Sequence, residues 1–178
     1  KVRMTRRCLE VFAQYDDLDL LVIQTRSPLV TDDLDLLASI PYAVLSMTIE
    51  TDRGDLPYGP SETHIRQRLE AVRRASAAGI PTQITVSPCL PYTPSFATKL
   101  IASGVQRIVV DTFVDGDGSQ GKRTADSPFA EEANYDWRSA DPARELYKQL
   151  QGQGATVEWS AAGFGGIPPR AQREAMQF

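Results

Sequence analysis

Short apolar runs rich in β-formers alternate with helical patterns along this chain, and each run ends in polar residues. Strands that alternate with helical patterns form βαβ units, so the chain is predicted to be an α/β protein with a parallel sheet. Ligands of such sheets bind at the carboxyl ends of the strands, which makes the polar residues there the first candidates for a site. The runs are residues 18–23, 43–49, 82–86 and 108–110, closed by residues 24–26, 50–51, 87 and 111–112.

Helical patterns separate these runs. The clearest begins after Ser61, a good N-cap residue, and extends to residue 78, where Gly79 suits a left-handed backbone and Pro81 prevents continuation. The first run, 18–23, is expected to be buried on both faces. The glycines within residues 163–169 are expected to form a turn, and residues 115–135 a long loop. Further helices are predicted over residues 2–15, 34–40, 95–103, 142–150 and 168–176, and further strands over residues 107–114 and 156–160.

The length of 178 residues predicts a single domain, 1–178, large enough to bury a core. A net charge of −4 gives no overall basic footprint for nucleic acid. The longest apolar runs are too short to span a membrane, and no secretory signal pattern opens the chain. Two cysteines are too few for a disulfide framework or a cysteine-rich metal site. A cytoplasmic location without membrane association is therefore expected.

The strongest candidate site residues lie on and after the second run. Ser46, Thr48 and Glu50 share one face of that strand by period-two alternation, and buried polar groups there need partners or face a cavity. Arg26 follows the first run. Its guanidinium could grip a carboxylate or phosphate with two hydrogen bonds, or pair with Asp32, Asp33 or Glu50; both interpretations remain open from the sequence.

Other reactive residue types give weaker signals. His64 is the only histidine, in the first turn of the long helix, where a surface role is the simpler interpretation. Cys89, in a proline-flanked loop, is a better candidate for a reactive thiol than Cys8, although packing explains it equally well. Asp111, Asp115 and Asp117 are ligand types for a hard cation but lack the EF-hand spacing. No metal site is expected from these residues.

Two stretches resemble radical S-adenosylmethionine (radical SAM) enzymes of the spore photoproduct lyase-like group. The resemblance covers roughly the first 95 residues. Its distinctive elements are Thr25-Arg26-Ser27 after a strand and Ala78-Gly79-Ile80-Pro81 between a helix and a strand. The matching segments are residues 21–30 and 33–37, then residues 44–49, 68–72, 77–82 and 86–88.

The resemblance implies an incomplete TIM-like barrel of βα units. In that family a [4Fe–4S] cluster, held by three closely spaced cysteines, reductively cleaves S-adenosylmethionine to a 5′-deoxyadenosyl radical. Arg26 would then contact the methionine carboxylate of S-adenosylmethionine. Ser46 would also contact this cofactor, with Glu50 as a less certain neighbour. The catalytic residues and the substrate stay unassigned, and a nucleic-acid substrate is suggested by family analogy only.

The three-cysteine motif of that family is absent here, because neither Cys8 nor Cys89 has the required neighbours. The chain also begins at Lys1 without an initiator methionine. We therefore expect it to be the C-terminal portion of such a barrel, inactive alone, with the cluster ligands upstream. The first helix and strand would then expose apolar surface, which favours a dimer.

Two other functions fit the same residues. One is a non-radical barrel lyase or hydrolase that uses Glu50 and Asp111 as acid and base groups near the strand ends. The other is a non-catalytic binding domain that keeps the sheet without the cluster. A Cys-x₃-Cys-x₂-Cys motif upstream of residue 1 would favour the radical enzyme over both.

Overall fold

The strands of this protein form one parallel sheet. The computed structural model describes residues 4–116, 118–127, 130–131, 135–168 and 172. All neighbouring strands pair in parallel, in the spatial order β1-β2-β3-β4-β5 of the sequence, and the sheet is open. The predicted α/β architecture with βα units is therefore confirmed. The strands are β1 (Leu21–Thr25), β2 (Ala43–Thr48), β3 (Thr82–Val86), β4 (Arg107–Val110) and β5 (Val157–Trp159).

Local signals set the ends of the long helix α3 (Glu62–Ala77) as the sequence predicts. The Ser61 side chain accepts a hydrogen bond from the His64 N–H at the start of α3, and Gly79 has a φ of 75° just beyond its end. No helix in the described ranges is both long and apolar enough to cross a bilayer. The helices are α1 (Met4–Phe12), a 3₁₀ helix (Pro28–Asp33), α2 (Leu34–Ala38), α3 (Glu62–Ala77), α4 (Phe96–Ala102), α5 (Phe113–Gly116), α6 (Lys122–Ala125), α7 (Asp141–Gly152) and α8 (Ser160–Gly165).

One face of the sheet carries most of the apolar core. Met47, Ile84 and Ile108 point to this face from three adjacent strands, and helices α3, α4 and α7 pack on it. Since side chains alternate along a strand, these residues belong to the same side of the sheet. A second apolar cluster under α1 and α2 continues this core toward β1. This side is called the helix face below.

The opposite side, called the polar face, carries polar side chains in rows that run across the strands. Its only described helical cover on β4 and β5 is α8, whose Gly163 lies against Val109 and Glu158. A Cβ atom at Gly163 would come within 2.9 Å of each of those two side chains. The rows, read from the strand register, are Gln24, Ser46, Gln83 and Arg107, then Thr48, Thr85, Val109 and Glu158.

Strand β1 differs from its prediction. It begins later, at Leu21, and it is not buried on both faces, since Val22 is 37% exposed. The reason is its position at the edge of the sheet, where only β2 pairs with it. Large apolar side chains are exposed on α1, on β1 and on the segment that joins them, as the sequence suggests. That a second chain covers them stays a prediction. They are Met4, Val11, Phe12, Tyr15, Leu20 and Val22.

The C-terminal third also departs from the sequence patterns. Residues 163–165 belong to helix α8 rather than to a turn, and the absence of a side chain at Gly163 lets this helix approach the polar face closely. Strand β4 ends at Val110, not at residue 114. Within the predicted loop 115–135 lie the end of α5 and all of α6, with residues 117, 128–129 and 132–134 outside the description. The predicted helix 168–176 falls mostly outside the described residues.

Candidate functional site at the carboxyl ends of the strands

Glu50 lies between two arginines at the carboxyl end of β2. Its Oε1 accepts a hydrogen bond from Arg26 Nε at 2.6 Å, and its Oε2 accepts one from Arg68 Nη1 at 2.8 Å. The Glu50 and Arg68 side chains are only 9% and 11% exposed, whereas that of Arg26 is 59% exposed. We call these three residues the arginine–glutamate cluster. Its formal charge is +1, and its excess positive charge faces solvent through Arg26.

Each member reaches the cluster from a different element. Arg26 follows β1, Glu50 follows β2, and Arg68 extends from α3 to the Glu50 carboxylate and to the Thr48 carbonyl, 3.3 Å away. Arg68 Nε is buried without a hydrogen-bond partner among the described residues. Arg26 also donates from Nη2 to the Ser87 carbonyl at 3.3 Å. Its remaining terminal nitrogen, Nη1, has no bond to the described part of the protein and is the donor available to a ligand.

The cluster continues through Ser87 to a second buried carboxylate. The Ser87 hydroxyl donates to Asp111 Oδ2 at 3.2 Å, and the Thr112 N–H donates to Asp111 Oδ1 at 2.8 Å. Asp111 is 2% exposed, and Gly116 lies so close to it that a Cβ atom there would have to displace the Asp111 carboxylate. Neighbouring hydrogen-bond donors therefore hold the carboxylates of Glu50 and Asp111 at the carboxyl ends of the strands.

Ser46 lies deeper in the polar face than the other predicted site residues. It is 1% exposed, and its hydroxyl accepts a hydrogen bond from Gln83 Nε2 at 3.1 Å. Gln83 in turn accepts from Arg107, whose Nη2 donates to the Gly163 carbonyl at 2.6 Å. Burial lowers the pKa of Arg107. The structure thus brings Arg26 and Glu50 together, while Ser46 belongs to the first polar row beneath them.

The remaining candidates do not join this cluster. The His64 ring lies 3.1 Å from the Ser61 hydroxyl on an exposed turn. Cys8 is exposed on α1, and Cys89 is buried, which raises the pKa of its thiol to about 12. Asp115 accepts a hydrogen bond from the Thr112 hydroxyl, and Asp117 lies outside the described residues. Within the described ranges, no group of histidine, cysteine or acidic residues could hold a metal ion.

A cleft of about 360 Å³ opens beside the cluster, with Glu50 in its wall. It lies between the 51–60 loop, the loop after β3 and the α5–α6 segment. We call it the aromatic cleft, because Tyr58 and Phe113 line it. Its other lining residues are Pro60, Pro88, Leu90, Arg123, Thr124 and Ser127.

Sequence patterns did not single out Arg68, Tyr58 or Arg123. Arg68 follows the buried residue Ile65 by three positions, so it lies beside the buried stripe of α3. That position was the one sequence signal that could have pointed to Arg68. Tyr58 and Arg123 lie in segments without periodicity, where no pattern distinguishes a cleft residue from a solvent-exposed one. Only the folded chain brings these segments to Glu50.

A search of family models finds no match to this chain, and none of the curated proteins matches it either.

Proposed function

We propose that this chain is the S-adenosylmethionine-binding part of an incomplete TIM-like barrel from a radical SAM enzyme. The observation that carries the proposal is the Arg26 guanidinium, oriented by Glu50 and exposed at the carboxyl ends of the strands. Strands in sequence order, most of the helices on one face and polar rows on the other are features that part of a βα barrel would show, although α8 covers β4 and β5 on the polar face.

Arg26 is the residue proposed to hold the methionine carboxylate. A guanidinium that has one edge fixed by a carboxylate still presents free N–H donors, and charge-assisted bonds to a second carboxylate are strong. Glu50 keeps Arg26 from turning away into solvent. Ser46 would support the cofactor site from the polar row beneath Arg26 and Glu50. Its hydroxyl accepts a hydrogen bond from Gln83 in that row.

The residues of this chain do not fit a [4Fe–4S] cluster. Such a cluster needs three closely placed thiolates, whereas Cys8 lies on α1 and Cys89 is buried after β3. The proposal therefore assigns the cluster ligands to a segment of the parent protein before residue 1. Sequencing the parent DNA upstream of Lys1 tests this assignment. A Cys-x₃-Cys-x₂-Cys motif in the open reading frame supports it, and an open reading frame without that motif rejects the proposed radical chemistry.

The cofactor site is tested on this chain by calorimetric titration with S-adenosylmethionine and with its decarboxylated analogue. We expect Arg26→Ala to weaken binding of S-adenosylmethionine roughly tenfold, the scale of one charged hydrogen bond. Its affinity for the decarboxylated analogue should stay the same, because that ligand lacks the group Arg26 would bind.

Arg73→Ala is the matched control for this titration. Arg73 is 61% exposed and pairs with Glu70, much as Arg26 pairs with Glu50, but it lies on α3 away from the strand ends. Binding should be unchanged in this variant. Equal losses for both ligands, or no loss at all, in Arg26→Ala would remove Arg26 from the site.

A further inference from the structure

We infer that the aromatic cleft binds a small planar aromatic compound carrying one anionic group, and that this compound is the class of substrate the site takes. Its role as substrate rests on the proposed function, because Glu50 belongs both to the cleft wall and to the cluster that would hold S-adenosylmethionine. The binding itself is a property of the cleft and can be measured without that cofactor.

The walls of the cleft favour a flat apolar ligand. Tyr58 and Phe113 supply aromatic rings, and Leu90 supplies an aliphatic surface. Tyr58 is 65% exposed and has a φ of 62°, a left-handed conformation that costs energy for a residue with a large side chain. A volume of about 360 Å³ lies in the range of small-molecule sites.

The loop that carries Tyr58 is anchored at its base, so this wall is built into the fold. The Asp52 carboxylate accepts hydrogen bonds from Lys99 Nζ at 2.7 Å and from the Thr93 N–H at 2.8 Å. The Thr51 hydroxyl donates to the Pro91 carbonyl at 2.6 Å. A preformed wall lowers the entropic cost of ordering residues when a ligand binds.

The charges around the cleft select an anion. Arg123 has no carboxylate partner in the described part of the chain. Glu50 is the acidic group in the wall, and both of its oxygens already accept hydrogen bonds from Arg26 and Arg68. The local balance is therefore positive, and a cationic ligand would find no free carboxylate there. Arg123 is the residue we expect to pair with the anionic group of the ligand.

The probes for this inference are 2-naphthoate and its uncharged counterpart 2-naphthamide, titrated into the ¹⁵N-labelled chain and followed by amide chemical shifts. We expect 2-naphthoate to bind at least fivefold more tightly, with shifts around Tyr58, Leu90 and Phe113. Arg123→Gln should reduce that preference to less than twofold. Tyr58→Ala should weaken both probes.

Tyr15→Ala and Arg73→Gln are the matched controls, since both residues are exposed away from the cleft, and each should leave both affinities unchanged. Equal affinity for the two probes, an undiminished preference in Arg123→Gln, or shifts centred elsewhere would overturn the inference. Binding of 2-naphthoate without binding of S-adenosylmethionine would support ligand binding in the cleft and reject the proposed function. Binding of S-adenosylmethionine without binding of 2-naphthoate would reject ligand binding in the cleft and leave the proposed function intact.

Discussion

Arg26 Nε donates a hydrogen bond to Glu50 Oε1 over 2.6 Å, which joins the residue after the edge strand to the residue after its neighbour. The contact links the ends of β1 and β2 at the edge where ligands of parallel sheets bind. Arg68 completes the arrangement from the helix face. Of the two roles the sequence left open for Arg26, the structure shows the pairing with Glu50, and the exposed remainder of the guanidinium carries the proposed carboxylate contact.

The Arg68–Glu50 pair should be the most stabilising ion pair of the site. Arg68→Met would leave the Glu50 carboxylate buried with Arg26 as its one arginine partner, and breaking a buried pair costs about 3 kcal/mol of unfolding free energy. Urea denaturation measures this loss. Arg73→Met on the same helix removes an exposed pair with Glu70 and should cost less than about 1 kcal/mol. Equal losses for the two variants would contradict the importance of burial at Glu50.

Helix α8 should depend on the absence of a side chain at Gly163. A Cβ there would lie 2.9 Å from Val109 Cγ1 and from Glu158 Cβ, so Gly163→Ala must push α8 off the polar face. We expect a loss of about 1–3 kcal/mol in the unfolding free energy, the usual cost of overpacking. Gly165→Ala in the same helix meets nothing within 4 Å and should be neutral or slightly stabilising. Similar melting temperatures for the two variants would show that α8 does not pack closely on the sheet.

The end of α3 should resist β-branched residues. Gly79 has a φ of 75°, which a β-branched side chain adopts poorly. Gly79→Val should therefore lower the unfolding free energy by about 1 kcal/mol or more. Gly152→Ala, near the end of α7, has open space and no left-handed φ, so it should leave stability unchanged or raise it. An unchanged melting temperature in Gly79→Val would place the end of α3 elsewhere.

Asp52 should make stability depend on pH in the acid range. Burial alone would raise the pKa of its carboxyl, but hydrogen bonds from Lys99 and Thr93 outweigh it and lower the pKa below 3.8. A carboxyl with a lowered folded-state pKa stabilises the protein above its unfolded-state pKa, and this contribution disappears as pH falls through the folded-state value. Asp52→Asn should therefore be less stable than the parent chain at pH 6, by about 1 kcal/mol.

The difference in stability between Asp52→Asn and the parent chain is measured by thermal denaturation between pH 3 and pH 7. It should begin to shrink at about pH 4, where the carboxyl of the unfolded chain becomes protonated, and continue to shrink as pH falls toward the lowered folded-state pKa of Asp52. Asp55→Asn is the control, because its carboxylate pairs with Arg53 in an exposed position where solvent screens the interaction. A constant difference between Asp52→Asn and the parent over the whole range would contradict the ionic role of Asp52.

Much of the local structure could be predicted from residue patterns. Strand β3 has the predicted bounds, Ser61 caps α3, and Gly79 takes the left-handed conformation. The alternation correctly placed Ser46 and Thr48 on one face of β2, and each of Ser46, Thr48 and Glu50 has a hydrogen-bond partner. Strand β1 was mispredicted as buried on both faces, since the composition of a run does not show whether the run lies at an edge.

The sequence by itself determined the approximate positions of the five strands and of α1 to α4 and α7, and the ends of α3, because period, capping and backbone preference act between residues close in the chain. The tertiary structure alone decided which polar residues meet. Glu50 is bonded to Arg26, 24 residues earlier, and to Arg68, 18 residues later. Such contacts depend on the order of the strands and on the packing of α3 against them. No local pattern encodes a distance in space, and so the cluster and the aromatic cleft became visible only in the folded chain.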